Sequence, residues 1–336
     1  MKSDTIQLAH GSGGQYTHDL IRSLFGRYFG NPILEEFGDS AVPGRMDGQL
    51  VFTTDSHVVK PLFYPGGDIG KLAVTGTVND LAVAGARPLW LSCAMVIEEG
   101  FAMADLERIV KSMSRAAQEA GVQIVTGDTK VVGRGEADGL FINTSGIGVL
   151  ASEQPLGIDQ IRVGDKVLVS GFIGDHEAAI ICARGSFPVE MKIQSDCAAL
   201  NDLTTRLLNE VEGIRIMRDP TRGGLATTLN EFADGREFGI RIAGECIPVR
   251  QEVLGLCEPL GFDPWYFANE GKVVVIAARG SAAAALELLQ SHPLGRAAAE
   301  IGEVIGKPPG KVLLRTAIGT DRVLDMLSGT MLPRIC

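Results

Sequence analysis

Residues 66–96 read GGDIGKLAVTGTVNDLAVAGARPLWLSCAMV. Residues 69–84 carry Leu72, Ala73 and Leu81 among the apolar positions of a helix, and 89–96 form an apolar run of strand length. Asp80 stands inside that otherwise apolar helix, where an unpaired charge is costly to bury. Working outward, a strand is expected at 50–54. Leu106, Ile109, Val110, Met113 and Ala117 then recur at helical spacing, and Gly121 ends that helix. Strands at 123–126 and 140–149 complete a first α/β region. The polar, turn-rich stretch SEQPLGIDQIRVGD at 152–165 breaks the pattern and marks a boundary. Beyond it, strands at 166–170, 214–217 and 272–278 alternate with helices at 177–183, 197–210, 225–233 and 282–290. The expected fold class is therefore mixed α/β in two domains. An arm spans 1–38 with a helix at 17–29, a first domain 39–151 and a second 152–326. A mobile tail, 327–336, ends LSGTMLPRIC.

The 336 residues suit two domains, each large enough for its own core. An apolar share of 45% excludes disorder. The net charge of −10 argues against a nucleic-acid binder, which needs a basic face. The start, MKSDTIQLAHGSGG, lacks the apolar core of a signal peptide, and no apolar run reaches membrane length. Six cysteines with no CxxC pair argue against a zinc knuckle or disulfide framework, so a reduced, cytoplasmic protein is expected. Cys93, Cys182, Cys197, Cys246 and Cys257 read as small packing residues. Cys336 stands apart as the last residue.

Several phosphate motifs fail on inspection. GGDIGKL at 66–72 is one residue short of a P-loop and has Leu72 where a metal-binding hydroxyl belongs. GIGVLA at 146–151 lacks the helix that a dinucleotide fingerprint requires. What remains is a series of acidic residues among small or glycine neighbours: Asp39 in FGDSAV, Asp55 in TTDSH, Asn79 and Asp80 in TVNDLA, Asp128 in TGDTK, and Asp219 in RDPTRGG. Aspartate is a hard oxygen ligand suited to Mg²⁺, and adjacent glycines let backbone N–H groups approach phosphate. Taken singly, each such pair reads as a turn. Asp175 in GDHEA reads as a helix N-cap beside His176, and Asn269 and Glu270 in FANEGK read as a turn before a strand.

Together and in this order, LAHGSGG at 8–14, FTTDSH at 52–57, GGDIGKLAVTGTVNDLAVAGA at 66–86, VTGDTKVV at 125–132, RDPTRGG at 218–224, FANEGK at 267–272 and PRIC at 333–336 resemble one family. It is the ATP-dependent superfamily of aminoimidazole ribonucleotide synthetase, selenophosphate synthetase and thiamine-monophosphate kinase. Within it, the resemblance is to the HypE family of hydrogenase-maturation proteins. The terminal PRIC is the most specific segment, and the cysteine or selenocysteine of selenophosphate synthetases is missing from His10–Gly14.

The resemblance implies two α/β domains, with first-domain strands forming a barrel across a homodimer and ATP beside that interface. It implies a HypF-like carbamoyltransferase that loads a carbamoyl group onto Cys336. ATP-dependent dehydration of the thiocarbamate to a thiocyanate follows, and the cyano group passes to iron on a HypC–HypD complex, supplying cyanide ligands for [NiFe] hydrogenase. No nucleic acid or membrane is implied. Asp39, Asp55, Asp80 and Asp219 are the implied Mg²⁺ ligands. Gly11, Ser12, Gly13, Gly14, Asn79 and Asp128, with Asp55, Asp80 and Asp219, are the implied nucleotide neighbours. Cys336 carries the substrate. Lys130 is the candidate for stabilising charge, Glu270 for accepting a proton, and His176 for proton transfer. A tail of about ten residues reaches roughly 30 Å, so it can serve both a partner and its own cleft. The rivals are a small-molecule kinase or selenophosphate synthetase, which needs no Cys336, and a non-catalytic scaffold, which turns over no ATP.

Overall fold

A computed structural model describes residues 4–36, 40–185, 192–329, 332 and 334–336. The N-terminal helical run is α1 (Gln15–Leu20), one π turn (Ile21–Phe25) and α2 (Gly26–Phe29). It lies two residues ahead of the expected start.

The first domain is a four-stranded sheet in the order β1-β6-β4-β5, with β1 Leu50–His57, β4 Ala86–Glu98, β5 Gln123–Val132 and β6 Leu140–Leu150. A small hairpin, β2 (Phe63–Tyr64) and β3 (Gly67–Asp68), leads into α3 (Ile69–Val83), and α4 is Met103–Ala120. Asp68 caps α3 by accepting from the N–H groups of Gly70 and Lys71 at 2.8 and 3.0 Å. Helix α3 is apolar on almost every side because it is covered on almost every side, by the sheet, by α4 and by α6 of the second domain. Residues 146–150 of GIGVLA form the end of β6.

The second domain is a seven-stranded sheet in the order β13-β12-β9-β11-β7-β10-β8. Its strands are β7 Lys166–Val169, β8 Ile214–Arg218, β9 Gly239–Ala243, β10 Val274–Ala277, β11 Ala299–Ile305, β12 Val312–Arg315 and β13 Asp321–Val323. Its helices are α5 Asp175–Arg184, α6 Asn201–Glu210, α7 Gly224–Ala233, α8 Gln251–Leu260 and α9 Ala282–Ser291. Four strands and α8, all beyond residue 238, were absent from the sequence reading. They are short, and several pair with distant partners, so their local pattern is weak; β9 pairs parallel with β12 some seventy positions later. Residues 197–200 are not helical, because their backbone is taken by Asn79 and Glu270.

Among the described residues, no helix is long and apolar enough to cross a membrane. The six cysteines form no disulfide among the described residues; Cys93, Cys197 and Cys257 are buried, Cys182 is half-buried and Cys246 is exposed.

Candidate functional site

The site lies where α3 and β1 of the first domain meet the loop after β8 and the 267–272 loop of the second. Asp55 lies on β1 and Asp80 on α3, where Asp80 accepts from the Thr53 hydroxyl at 2.9 Å. Their approach depends on Gly76. A Cβ there would stand 2.9 Å from the His57 ring and 3.5 Å from an Asp55 oxygen. Asp219 follows β8. Asp80 and Asp219 line one cleft of about 690 Å³ with Thr53, Arg218 and Arg222. That volume lies within the usual roughly 300–1,000 Å³ of small-molecule sites.

Burial and crowding of like charges raise the proton affinity of Asp80, Asp219 and Glu270. Burial, then Asp80, push the Asp219 carboxyl up to about 7. Burial, then Asp219, Asp196 and Asp55, push Glu270 well above the ordinary carboxylate range. Asp80 is raised chiefly by burial, although Thr53 opposes the shift. One oxygen of Glu270 is buried with no hydrogen-bond partner. The FANEGK loop is buried. Its Asn269 donates to Pro220 and Phe267 carbonyls at 2.9 Å and accepts from Gly174 N–H at 2.8 Å.

The end of the chain lies against this cluster. The N–H of Val58 donates to the Cys336 carbonyl at 3.3 Å, and that of Lys60 to the Arg334 carbonyl at 3.2 Å. Arg184 donates to the Arg334 carbonyl at 2.6 Å, and Arg334 itself reaches the Val58 carbonyl at 2.8 Å and Asp138. These contacts hold Arg334 at φ 57°, a left-handed conformation that costs a non-glycine residue about 1 kcal/mol. Cys336 shares a cavity of about 230 Å³ with Glu177 and Arg222. Burial first, then Glu270, push its thiol far above the ordinary range, while Arg222 opposes the shift.

His176 is fully buried. One ring nitrogen is 2.8 Å from the Ser195 hydroxyl and the other 2.9 Å from the Ile335 carbonyl. Both nitrogens are therefore engaged, one of them on the tail. Beneath it, Lys272 and Asp196 form a buried pair at 3.1 Å. Burial raises Asp196, but Lys272, His176 and the Glu270 N–H outweigh it and hold the carboxyl below its ordinary value. Asp175 is paired with Arg250 at 3.0 Å and is the first residue of α5, with Gly174 in the N-cap position. Asn79 spends its amide on backbone: it donates to Ala198 and Glu270 carbonyls and accepts from Leu200 N–H. It therefore fastens α3 to the second domain directly behind Glu270.

Not every expected residue joins this cluster. Asp128 and Lys130 lie on β5, the opposite edge strand from β1, about 14 Å away at three strand spacings. They pair with each other at 3.0 Å and are exposed. The glycine-rich segment sits beside them, and a Cβ on Gly11 would meet the Val131 N–H nitrogen at 2.6 Å. A separate, largely apolar cavity of about 210 Å³ lies between the N-terminal helix and this edge and is lined by Asp128 and Thr129. Asp39 lies outside the described residues. Among those described, no three His, Cys, Asp or Glu side chains converge tightly enough to hold a metal by themselves. Sequence reasoning missed Arg222, Glu177, Asp196 and Lys272. Arg222 and Lys272 belonged to quoted motifs, and Glu177 was adjacent to a singled-out His; only burial of its side chain distinguishes Asp196.

Residues 38–150 match the family described as AIR synthase related protein, N-terminal domain, and residues 162–315 match its C-terminal domain. A protein of Bradyrhizobium diazoefficiens named carbamoyl dehydratase HypE is 50% identical, over 100% of this chain and 97% of that protein. The chain belongs to the HypE family. A crystal structure of hydrogenase maturation protein HypE in complex with ATP is 48% identical with a TM-score of 0.95, covering 99% of this chain and all of that one. The structure of a HypE–HypF complex matches 92% of this chain and 99% of that one, with 48% identity and a TM-score of 0.80.

Proposed function

We propose that this chain dehydrates a carbamoyl group carried on the Cys336 sulfur to a thiocyanate, at the expense of ATP. The observation that carries the reading is the position of Cys336, beside the unpartnered carboxyl of Glu270 and next to the acidic cleft. Membership of a family with an ATP-complexed structure supports nucleotide binding here. The structure of a relative with HypF supports a HypF-like carbamoyltransferase as the loading partner. A HypC–HypD complex is the proposed recipient of the cyano group.

The donor set fits Mg²⁺. Asp80 and Asp219 are hard oxygen donors facing one cleft, and burial and neighbouring carboxylates raise the proton affinity of both. Asp55, Asp80 and Asp219, with Asp39, would hold the ion, which when bound neutralises phosphate charge. The chain's own groups do the rest. The carbamoyl oxygen becomes a leaving group by phosphorylation, and two protons then leave the nitrogen. Glu270 accepts one, since burial, and then crowding by Asp219, strengthen it as a base. His176 positions the tail by its bond to Ile335, and is itself a proton-transfer candidate once the tail leaves. An outward tail position serves the partner.

Lys130, Asp128 and Gly11, Ser12, Gly13 and Gly14 meet the acidic cluster across a homodimer. β1 and β5 are the two edge strands of the first sheet, and Leu50 and Phe52 project exposed from β1. The deciding experiment is intact-mass analysis of the C-terminal peptide after incubation with the carbamoyltransferase, carbamoyl phosphate and ATP. The expected result is gain of one carbamoyl group on Cys336, followed by ATP-dependent loss of one water. A peptide that gains nothing, or that keeps its carbamoyl group with ATP present, refutes the reading.

A further inference from the structure

One cation faces both halves of the site. Arg222 lines the wide cleft with Asp80 and Asp219, and also the smaller cavity with Cys336 and Glu177. Neighbouring cations are already committed. Arg218 is paired with Glu231 at 3.5 Å, Lys272 with Asp196, and Arg334 with Asp138. The Arg222 guanidinium makes no hydrogen bond or ion pair with any described residue. Its five N–H donors are therefore unspent.

The backbone beneath it is fixed. Thr221 N–H donates to the Asp219 carbonyl at 3.0 Å and Gly224 N–H to that of Thr221 at 2.9 Å. The Pro220 carbonyl accepts from both the N–H and the side chain of Asn269. Gly224 adopts φ +58° and presses against the Phe267 carbonyl, where no side chain fits. A rigid loop thus presents an exposed, uncommitted fork at the junction of two cavities. Arg222 also bears electrostatically on His57, Asp80, Glu270 and Cys336.

We propose that Arg222 is a catalytic residue that binds the γ-phosphoryl group as it passes from nucleotide in the wide cleft to the carbamoyl oxygen on Cys336. This rests on the function proposed above. In that step the carbamoyl oxygen bonds to the γ-phosphorus while the bond to the β–γ bridging oxygen breaks and ADP leaves. The C–O bond then breaks, phosphate departs with its electron pair, and two nitrogen protons are released as C≡N forms. A phosphoryl group crossing this space meets Asp55, Asp80, Asp219 and Glu270, all repulsive when ionised. A planar guanidinium matches phosphoryl oxygens bidentately, which an ammonium does not.

The test is single-turnover water loss from carbamoyl-Cys336, followed by intact mass, in wild type, Arg222→Gln and Arg222→Lys. An arginine on a transferring phosphoryl group is worth about 10³–10⁵ in rate. Arg222→Gln is expected to slow water loss by roughly 10³ or more, with carbamoyl loading and the KM for ATP changed less than about threefold. Arg222→Lys recovers part of the rate, and free guanidinium partly rescues Arg222→Ala. A glutamine variant within about threefold of wild type overturns the assignment, as does a raised KM with unchanged maximal rate. If wild type itself loses no water, the proposed function fails instead, and the two failures are distinct.

Discussion

Replacing Glu177 by glutamine should stabilise the protein at alkaline pH. Glu177 is 1% exposed in the first turn of α5, on the wall of the cavity that holds Cys336. One oxygen accepts from the Ala268 N–H at 2.7 Å and the other has no partner. Burial lifts its carboxyl from 4.5 to about 7, despite the Ala268 bond and Arg184. Between those two values the folded protein holds a proton that the unfolded chain has released. Stability therefore falls as pH rises through that window and is fully reduced above it. At 1.36 kcal/mol per pH unit the loss is about 3 kcal/mol. Glutamine keeps the acceptor for Ala268 and removes the charge, but leaves an amide NH₂ unpaired at about 1 kcal/mol. The net expected gain is about 2 kcal/mol near pH 8.5, vanishing near pH 5, where the wild-type carboxyl is neutral. Urea unfolding of both proteins at the two pH values measures it. No gain near pH 8.5, or a gain of equal size at both, refutes the reasoning.

Three further outcomes follow from the same geometry. Asp219, at about 7, binds a proton in competition with a cation, so Mg²⁺ affinity should rise with pH through that value and be lost in Asp219→Asn; titration calorimetry reads it. Arg334→Ala removes the contacts to Val58 and Asp138, and should speed alkylation of Cys336 about tenfold or more at neutral pH, measured by mass spectrometry. Mixing inactive Lys130→Ala and Cys336→Ala chains should restore activity, because a mixed dimer keeps one intact site; mixtures that stay inactive while forming dimers would remove Lys130 from the partner's site.

Much of the first domain was legible because its signals are local. Helix α3 and strand β4 are long apolar runs, and their periodicity does not depend on distant partners. The strands β9, β11, β12 and β13 were not, since three to seven residues of alternating pattern gain meaning only from the strands beside them. The same division runs through the site. Asp55, Asp80, Asp219 and Glu270 were nameable from their segments. That they share one desolvated space was not, since they come from four elements in two domains. Asn79 shows the difference most sharply: its segment suggested a nucleotide neighbour, and packing made it a clasp between domains.

The sequence by itself determined which chemistry is present: hard oxygen donors among glycines, and a thiol at the last residue. Only the tertiary structure decided what those groups experience. Burial and like-charge crowding set their proton affinity, and both depend on neighbours brought from across the chain. The tail contacts with Val58, His176 and Arg184 place Cys336 beside Glu270, a residue 66 positions away in sequence. No local pattern encodes that meeting, because it is made by the closing of one domain on the other.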